Sequence, residues 1–298
     1  MEKRSDMKLS TRLLLLLCLM ALGLIVASVA SAVILLKGQN LMTMLTLQDV
    51  LAFIVPAIAA MAIFYRRPLH TMCLDRAPGW TAILVIILFE LVSMPAMNWL
   101  VNINEAMSLP TWMSGVEQWM RDSENAAMET TRQLLNTQSV WELLACLLVV
   151  GFMAGLSEEM LFRGAMLRTM QDSRLGNHAI VWIIAIIFSA IHVQFYGFFP
   201  RMLLGAWLGY LFVWTRSLWA PIIAHTLNNS AVVIFTHLAN VGIVPEGYGD
   251  NLGIPASGTF PWLAAVSLIA SLALAFWASR SLTAKTPPTQ NIDHPDTI

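Results

Sequence analysis

The sequence predicts an all-α protein, a polytopic transmembrane helix bundle of about eight spanning helices with both termini in the cytoplasm. Its 298 residues are 57% hydrophobic and only 12% charged, whereas a soluble domain carries about 25% charged residues. The mean hydropathy of +0.68 points the same way. Apolar runs also recur at lengths near the roughly 20 residues that a helix needs to cross a bilayer. We therefore expect one integral-membrane domain over residues 1–284.

The predicted spans follow the apolar runs in chain order, 13–36, 47–65, 80–101, 140–161, 179–195, 202–214, 218–241 and 260–277. In the first run, Ala30-Ser31-Ala32 resembles a signal-peptide cleavage site. The apolar run continues past it to residue 36, which favours a retained signal-anchor helix. The fourth helix is expected to continue to residue 170. The run 202–214 is short for a span, which indicates a tilted helix or one enclosed by the bundle.

Basic residues predict the orientation, because cytoplasmic loops carry an excess of Lys and Arg. An even number of spans places both termini on one side of the membrane. The basic segments all fall on that side, namely the N-terminus, 66–76, 168–174, 216 and 280–285. The loop that holds Glu246 and Asp250 falls on the other side. We therefore expect cytoplasmic termini, with 285–298 as a disordered cytoplasmic tail that is rich in proline and polar residues.

Segment 102–139 lies between the third and fourth spans and is predicted to be non-cytoplasmic. Its acidic residues outnumber its basic ones, while Trp112, Val116, Trp119 and Met120 recur at helical spacing. This pattern predicts an amphipathic helix. Two placements fit it: a helix that lies on the membrane surface, or a solvated helical cap that packs on its own bundle.

Two adjacent glutamates, Glu158 and Glu159, lie inside the predicted fourth helix. A carboxylate near the bilayer centre costs at least about 2.5 kcal/mol, so an ionisable group there indicates a functional site. Glu159 and Arg163 are four residues apart and share a helix face, which predicts an ion pair. Glu158 projects about 100° around the helix and has no such cation. A desolvated carboxylate of this kind can act as a general base.

Other polar residues fall at similar predicted depths on neighbouring spans. Glu158 lies roughly 15 Å from Arg168 along the helix, and His225 lies roughly 10–12 Å from the basic end of its own span. His192 lies in the fifth predicted span, where it can hold a water or a metal against Glu158. His225 and Asn229 share a helix face and offer a donor pair for an oxyanion.

Each of these residues also has a purely structural interpretation. A buried Glu–Arg pair often only supports a fold, and histidine or asparagine in a membrane helix often bonds to a neighbouring helix. We expect such roles, or positions near helix ends, for Glu90, Glu142 and His237.

Taken together, three motifs resemble the signature of the CPBP intramembrane protease family. They are Glu158-Glu159-x-x-x-Arg163, Phe188-x-x-x-His192 and His225-x-x-x-Asn229. The family includes the type II CAAX prenyl endopeptidases and bacterial proteins linked to bacteriocin processing or self-immunity. The resemblance covers residues 158–229, within a motif-bearing core of 138–240, and no motif position departs from the pattern.

The resemblance implies a glutamate-dependent endopeptidase with its site inside the membrane. Glu158 would activate a water with the help of His192, while Glu159 and Arg163 would orient the site. His225 and Asn229 would stabilise the tetrahedral oxyanion or complete the water site. The resemblance fits either of two chemistries. In one, Glu158, His192 and His225 bind Zn²⁺ or another divalent metal; in the other, the mechanism is metal-independent. The HExxH spacing of the zincins is absent from the sequence.

Two other function classes remain as alternatives: a non-catalytic membrane immunity or binding protein, and a proton-coupled transporter. The sequence shows no inverted repeat or pair of Gly/Pro-broken helices of the kind that transporters use. We expect membrane lipids and a membrane-associated peptide or protein substrate as partners, and no nucleic acid. The expected location is the bacterial inner (cytoplasmic) membrane, as a multi-pass protein.

Overall fold

The structure is a computed structural model that describes residues 3–4, 6–36, 41–255 and 259–283. Its long helices are α1 (Leu9–Leu36), α2 (Leu41–Phe64), α3 (Trp80–Glu105), α4 (Ser114–Leu135), α5 (Val140–Met170), α6 (Asn177–Ala190), α7 (Phe198–Thr215), α8 (Trp219–Asn240) and α9 (Trp262–Ser281). Across these described ranges there is no β-strand, and the only β-type pairing is an isolated bridge between Lys3 and Tyr65. The predicted all-α class is confirmed.

Within the described residues, 6 helices are long and apolar enough to cross a membrane: α1, α2, α3, α5, α8 and α9. The other two predicted spans correspond to α6, a shorter apolar helix of 14 residues, and α7, of 18 residues. The transmembrane bundle is therefore confirmed, whereas the count of eight and the cytoplasmic location of the termini stay predictions. The predicted disordered tail, 285–298, lies outside the described residues.

Helix α5 lies at the centre of the bundle and runs without a break from Val140 to Met170, as predicted. Its segment Met160–Leu167 is buried on all sides. A helix that is buried all round belongs to an interior position. Phe64 of α2 and Phe188 of α6 are also fully buried in the same core. By contrast, α1 and α9 expose many large apolar side chains, as helices that face lipid do.

The prediction that helix 179–195 extends beyond residue 192 is wrong. Helix α6 ends at Ala190, and Val193 has a φ of 55°. A β-branched residue in the left-handed region cannot continue a right-handed helix. His192 consequently lies in a turn after the helix. The apolar run gives no sign of this stop, because it contains no glycine; the first glycine after it is Gly197.

Three segments of α2 and α5 are wound as π-helix, in which each turn holds an additional residue. They are Asp49–Ile54, Leu147–Met153 and Met160–Leu167. Only the short stretch Ala154–Glu159 between the last two is α-helical. Such windings inside α-helices are frequent at functional sites. Here the two windings on α5 lie on either side of the segment that carries the adjacent glutamates.

The amphipathic segment forms helix α4, which contacts the bundle near the turn after α6. The backbone N–H of Tyr196 donates to Glu124 at 3.1 Å, and the Trp119 and Phe195 rings lie 5.2 Å apart. These contacts agree with a cap on the bundle. Trp112, however, is 80% exposed, so the segment also presents the apolar surface that a membrane-lying helix would use.

The N-terminal segment is fixed to the bundle by a cluster of charged and polar groups around Asp172. Its carboxylate accepts from Arg12 at 2.7 Å and from Tyr65 at 3.0 Å, and it lies 3.3 Å from the Lys3 ammonium. Burial alone would raise the pKa of Asp172, but the hydrogen bonds from Arg12, Tyr65 and Lys3 together lower it below its ordinary value. This cluster joins α1, the end of α2 and the turn after α5.

We predict that Asp172→Asn lowers the thermal unfolding midpoint of the purified protein near neutral pH. The loss should correspond to about 1–3 kcal/mol, the range for hydrogen bonds to a charged group. Since the folded-state pKa of Asp172 is lowered, its stabilisation is present above the unfolded pKa of about 3.9. It is lost as the pH falls through the lower folded value. The difference between wild type and variant should therefore shrink below about pH 4.

Asp6→Asn is the matched control, because Asp6 is exposed and near the same end of α1. An equal effect of both substitutions, or a pH-independent difference for Asp172→Asn, would contradict the prediction.

Candidate active site

The predicted ion pair between Glu159 and Arg163 is present and fully buried. Arg163 Nη1 donates to Glu159 Oε1 at 2.6 Å, and both side chains are 0% exposed. Arg163 Nη2 donates to the carbonyl oxygen of Gly205 on α7 at 2.7 Å. The guanidinium therefore neutralises the carboxylate and also ties α5 to α7.

His225 of α8 lies between the two glutamates. Its Nδ1 is 2.9 Å from Glu159 Oε1, and its Nε2 is 3.8 Å from Glu158 Oε2. Because a carboxylate only accepts, the neutral ring carries its hydrogen on Nδ1 and turns the lone pair of Nε2 towards Glu158. The 3.8 Å separation is too long for a direct hydrogen bond.

Glu158 differs from its neighbour in the way that the sequence predicts. Its side chain is 17% exposed, whereas that of Glu159 is 0% exposed. Its Oε2 is buried and accepts no hydrogen bond from any described residue. Glu159 Oε2 is buried and without a partner as well, and an unpaired carboxylate oxygen is costly at either place. The two carboxylates therefore differ in exposure and in their cation.

The ring of Phe188 connects the charged groups of the site. Its centroid lies 4.9 Å from the guanidinium carbon of Arg163, 5.2 Å from the His192 ring and 5.8 Å from the His225 ring. A cation over an aromatic face is attracted by the ring quadrupole, the more so where water is excluded. Phe188 thus supports the Arg163 charge and orients both histidines.

His192 lies in the turn after α6, with its Nδ1 at 2.8 Å from the carbonyl oxygen of Phe188. A carbonyl oxygen only accepts, so Nδ1 carries the hydrogen and Nε2 is left as a base. The charge of Glu158 acts on His192, which places the two groups within electrostatic range. The structure therefore brings Glu158, Glu159, Arg163, His192 and His225 into one neighbourhood.

Asn229 forms its hydrogen bonds with groups other than His225. Its Nδ2 donates to the carbonyl oxygen of Val150 at 3.1 Å, and its Oδ1 accepts from Asn228 at 3.3 Å. The predicted partnership of Asn229 with His225 as a donor pair thus stays a prediction. In the structure the amide fastens α8 to the π-helical part of α5.

Two glycines let the helices approach closely enough to build this arrangement. A Cβ added at Gly155 would lie 3.1 Å from Thr226 Oγ1, where α5 meets α8 one residue after His225. A Cβ added at Gly205 would lie 3.2 Å from Phe188. Larger residues would push α8 and α7 away from the glutamates.

Sequence reasoning missed one carboxylate of this neighbourhood, and the structural role expected for another, Glu90, stays a prediction. Asp49 of α2 is buried, accepts from Ser157 at 2.9 Å and interacts electrostatically with Glu158 and His225. Glu90 lies in the middle of α3, not near a helix end, and interacts electrostatically with His225. Its Oε1 is buried and finds no partner among the described residues. Both residues fall inside predicted spans, and a carboxylate inside a span is the sequence feature that could have indicated them.

The other two residues given structural roles fit them. Glu142 caps the start of α5 in a reciprocal pairing with Ser139. His237 is hydrogen-bonded to Thr137 at 2.8 Å.

The donor chemistry of Glu158, His192 and His225 suits zinc, but their placement does not complete a metal centre. Among the described residues, no group of three His, Cys, Asp or Glu side chains is arranged to hold a metal ion. The metal interpretation stays a prediction, and the chemistry proposed below uses the side chains and water.

Comparison with protein families supports the interpretation of the motifs. Residues 140–231 match the model of the Rce1-like family, described as type II CAAX prenyl endopeptidase Rce1-like. An Rce1-like domain occupies this segment. The resemblance to the CPBP and CAAX proteases is thereby confirmed. No curated protein and no solved structure matches the chain. The Rce1-like segment contains α5, α6, α7 and the part of α8 that carries His225 and Asn229.

We predict that Arg163→Met destabilises the protein by about 3–5 kcal/mol, because it leaves the Glu159 charge buried without its cation. The double variant Glu159→Gln, Arg163→Met should recover much of the lost thermal stability, since the pair is then replaced by neutral groups. The measurement is the unfolding midpoint in detergent, combined as a double-mutant cycle.

Arg121→Met is the matched control. Arg121 pairs with Glu117 at the same i, i+4 spacing and at 2.7 Å, but on the exposed surface of α4. Its removal should change the midpoint little. Strictly additive effects at Glu159 and Arg163 would contradict the prediction.

Proposed function

We propose that the protein is an intramembrane glutamate-dependent endopeptidase that hydrolyses a peptide bond of a membrane-associated protein or peptide. The observation that carries this proposal is the unequal environment of two adjacent carboxylates. Each glutamate has a buried Oε2 without a partner among the described residues. Glu159, however, is neutralised by Arg163 and bound to His225, whereas Glu158 is 17% exposed, has no cation of its own on α5 and lies 3.8 Å from His225 Nε2. Purely structural buried charges are normally paired.

The geometry supports activation of a water by Glu158. With the His225 ring neutral, Glu158 Oε2 and His225 Nε2 are both hydrogen-bond acceptors, so a water admitted between them donates one hydrogen to each and presents its oxygen lone pair outwards. As this oxygen attacks a peptide carbonyl carbon, Glu158 takes a proton. It then returns the proton to the leaving amine as the C–N bond breaks, so the step balances without a further reactant.

His192 is proposed to act on the same water or on the developing oxyanion. Its Nε2 is the free nitrogen of a ring whose orientation is set by the Phe188 carbonyl. Held in this way, a side chain loses little entropy when it engages a substrate. Glu159, Arg163 and Asn229 are proposed to position these groups. We place the activity in the bacterial cytoplasmic membrane.

We predict that Glu158→Gln and His192→Asn each reduce peptide processing by at least about a hundredfold, the scale of a lost general base. Glutamine keeps the shape of Glu158 and removes its basicity. Asparagine retains a donor near the position of His192 Nδ1 and removes only Nε2. Processing is measured by peptide mass spectrometry on membranes that contain equal amounts of inserted protein.

Glu246→Gln serves as the control, because it makes the same chemical change as Glu158→Gln at a residue that is exposed in the loop after α8. If processing survives both Glu158→Gln and His192→Asn at normal insertion, the catalytic interpretation is wrong. A phenotype that also survives would identify a non-catalytic binding or immunity protein. Ion-coupled uptake into vesicles would instead identify a transporter. The peptides that accumulate uncut with Glu158→Gln would identify the substrate.

A further inference from the structure

A cavity of about 780 Å³ opens where the loops after α2 and α5 meet the turn after α7. Four arginines line it, Arg67, Arg76, Arg168 and Arg216, and no carboxylate does. Its volume falls in the range of small-molecule sites, roughly 300–1,000 Å³. None of the proposed active-site residues belongs to its lining.

The walls of this arginine cavity are fixed by hydrogen bonds between segments that are distant in sequence. Arg168 Nε donates to the carbonyl oxygen of Thr71 at 2.7 Å, and the Leu218 N–H donates to that of Cys73 at 3.1 Å. Ser217 Oγ donates to the carbonyl oxygen of Arg76. The cavity walls are therefore fixed relative to one another by hydrogen bonds, and the cavity is not a gap between independent loops.

Backbone strain is also concentrated in the cavity wall. Cys73 has a φ of 61° and Arg216 a φ of 51°, both in the left-handed region that non-glycine residues rarely occupy. Two of the three described non-glycine residues with positive φ therefore line this one cavity. Strain of this kind persists where the surrounding structure holds it, and it clusters at ligand sites.

The arginine side chains have unused hydrogen-bonding capacity. Among the described residues, none forms an ion pair or accepts a hydrogen bond from the guanidinium groups of Arg67, Arg76 and Arg216. Asp75, which follows closely after Arg67, is bound to His70 at 2.6 Å and does not line the cavity. Guanidinium groups without a protein anion suit phosphate oxygens in charge and hydrogen-bonding pattern.

Membrane topology alone does not explain this convergence. An excess of arginine at one end of a bundle is expected for cytoplasmic loops. Arg66 and Arg174 lie in the same loops and satisfy that rule, yet neither lines the cavity. The four lining arginines, in contrast, come from three separate segments and meet around one space.

We propose that the arginine cavity is a binding site for a phosphate-bearing anion, either the headgroup of an anionic phospholipid or a free phosphoanion. Basic pockets between membrane helices on the basic side of a protein suit such headgroups. The site is separate from the proposed catalytic residues and does not depend on the proposed peptidase activity.

The test uses two probes on the purified full-length protein. In the lipid arm, cardiolipin and phosphatidylcholine are titrated in detergent micelles and retained lipid is counted by native mass spectrometry. In the soluble arm, inorganic pyrophosphate is added at ionic strength matched with sodium chloride, and the unfolding midpoint is followed. A ligand that binds only the folded state raises the midpoint.

Arg67→Gln, Arg76→Gln as a double variant should weaken binding roughly thirtyfold, or about fivefold for each arginine removed from contact with an anionic group. Arg66→Gln, Arg174→Gln is the matched control, because it removes the same total charge from the loops after α2 and α5 without changing the cavity lining. It should weaken binding less than about twofold. If the double variant does not fold, the single variants Arg67→Gln and Arg76→Gln are measured in its place.

A response to cardiolipin alone assigns the site to a lipid headgroup, and a response to pyrophosphate alone assigns it to a free phosphoanion; either supports the proposal. No response to either probe would overturn it. So would an equal loss in the cavity variant and in the control variant, since that indicates diffuse surface charge.

Discussion

The buried pair of Glu159 and Arg163 is the interaction on which the rest of the site depends. Two charges taken out of water are tolerated only when each is neutralised and hydrogen-bonded. The pair achieves this with one 2.6 Å contact inside α5. Arg163 also donates to Gly205 on α7, and Glu159 also accepts from His225 on α8, while Arg163 Nε and Glu159 Oε2 have no partner among the described residues. Satisfying one buried ion pair therefore fixes the relative positions of three helices.

This constraint also separates the roles of two identical side chains. Arg163 and His225 both form their short contacts with Glu159, at 2.6 and 2.9 Å, and His225 approaches Glu158 only to 3.8 Å. Glu158 is left with a partly exposed side chain and an oxygen that no described residue satisfies. His225 faces it with its second nitrogen, so the histidine that is bonded to one glutamate also lies 3.8 Å from the other. The proposed supporting and reactive functions thus belong to adjacent residues.

Local sequence patterns predicted those parts of the molecule that depend on one helix at a time. Composition gave the all-α membrane class, and the i, i+4 spacing gave the Glu159–Arg163 pair. The same reasoning was wrong about the end of α6, because the turn at Val193 contains none of the usual stop residues. It also missed Asp49 as a neighbour of Glu158, since nothing in the sequence says which helices pack against each other.

By itself, then, the sequence determined which groups are charged, where along each helix they lie and which of them share a helix face. These properties follow from the rise and period of a single helix. Only the tertiary structure decided that His225 lies between both glutamates, that Asn229 binds the backbone of Val150, and that arginines from three segments surround one cavity. Those contacts depend on the rotation and separation of neighbouring helices. The rotation and the separation are set by close approaches at glycines and by π-helical windings. The spacing of residues along the chain does not reveal either.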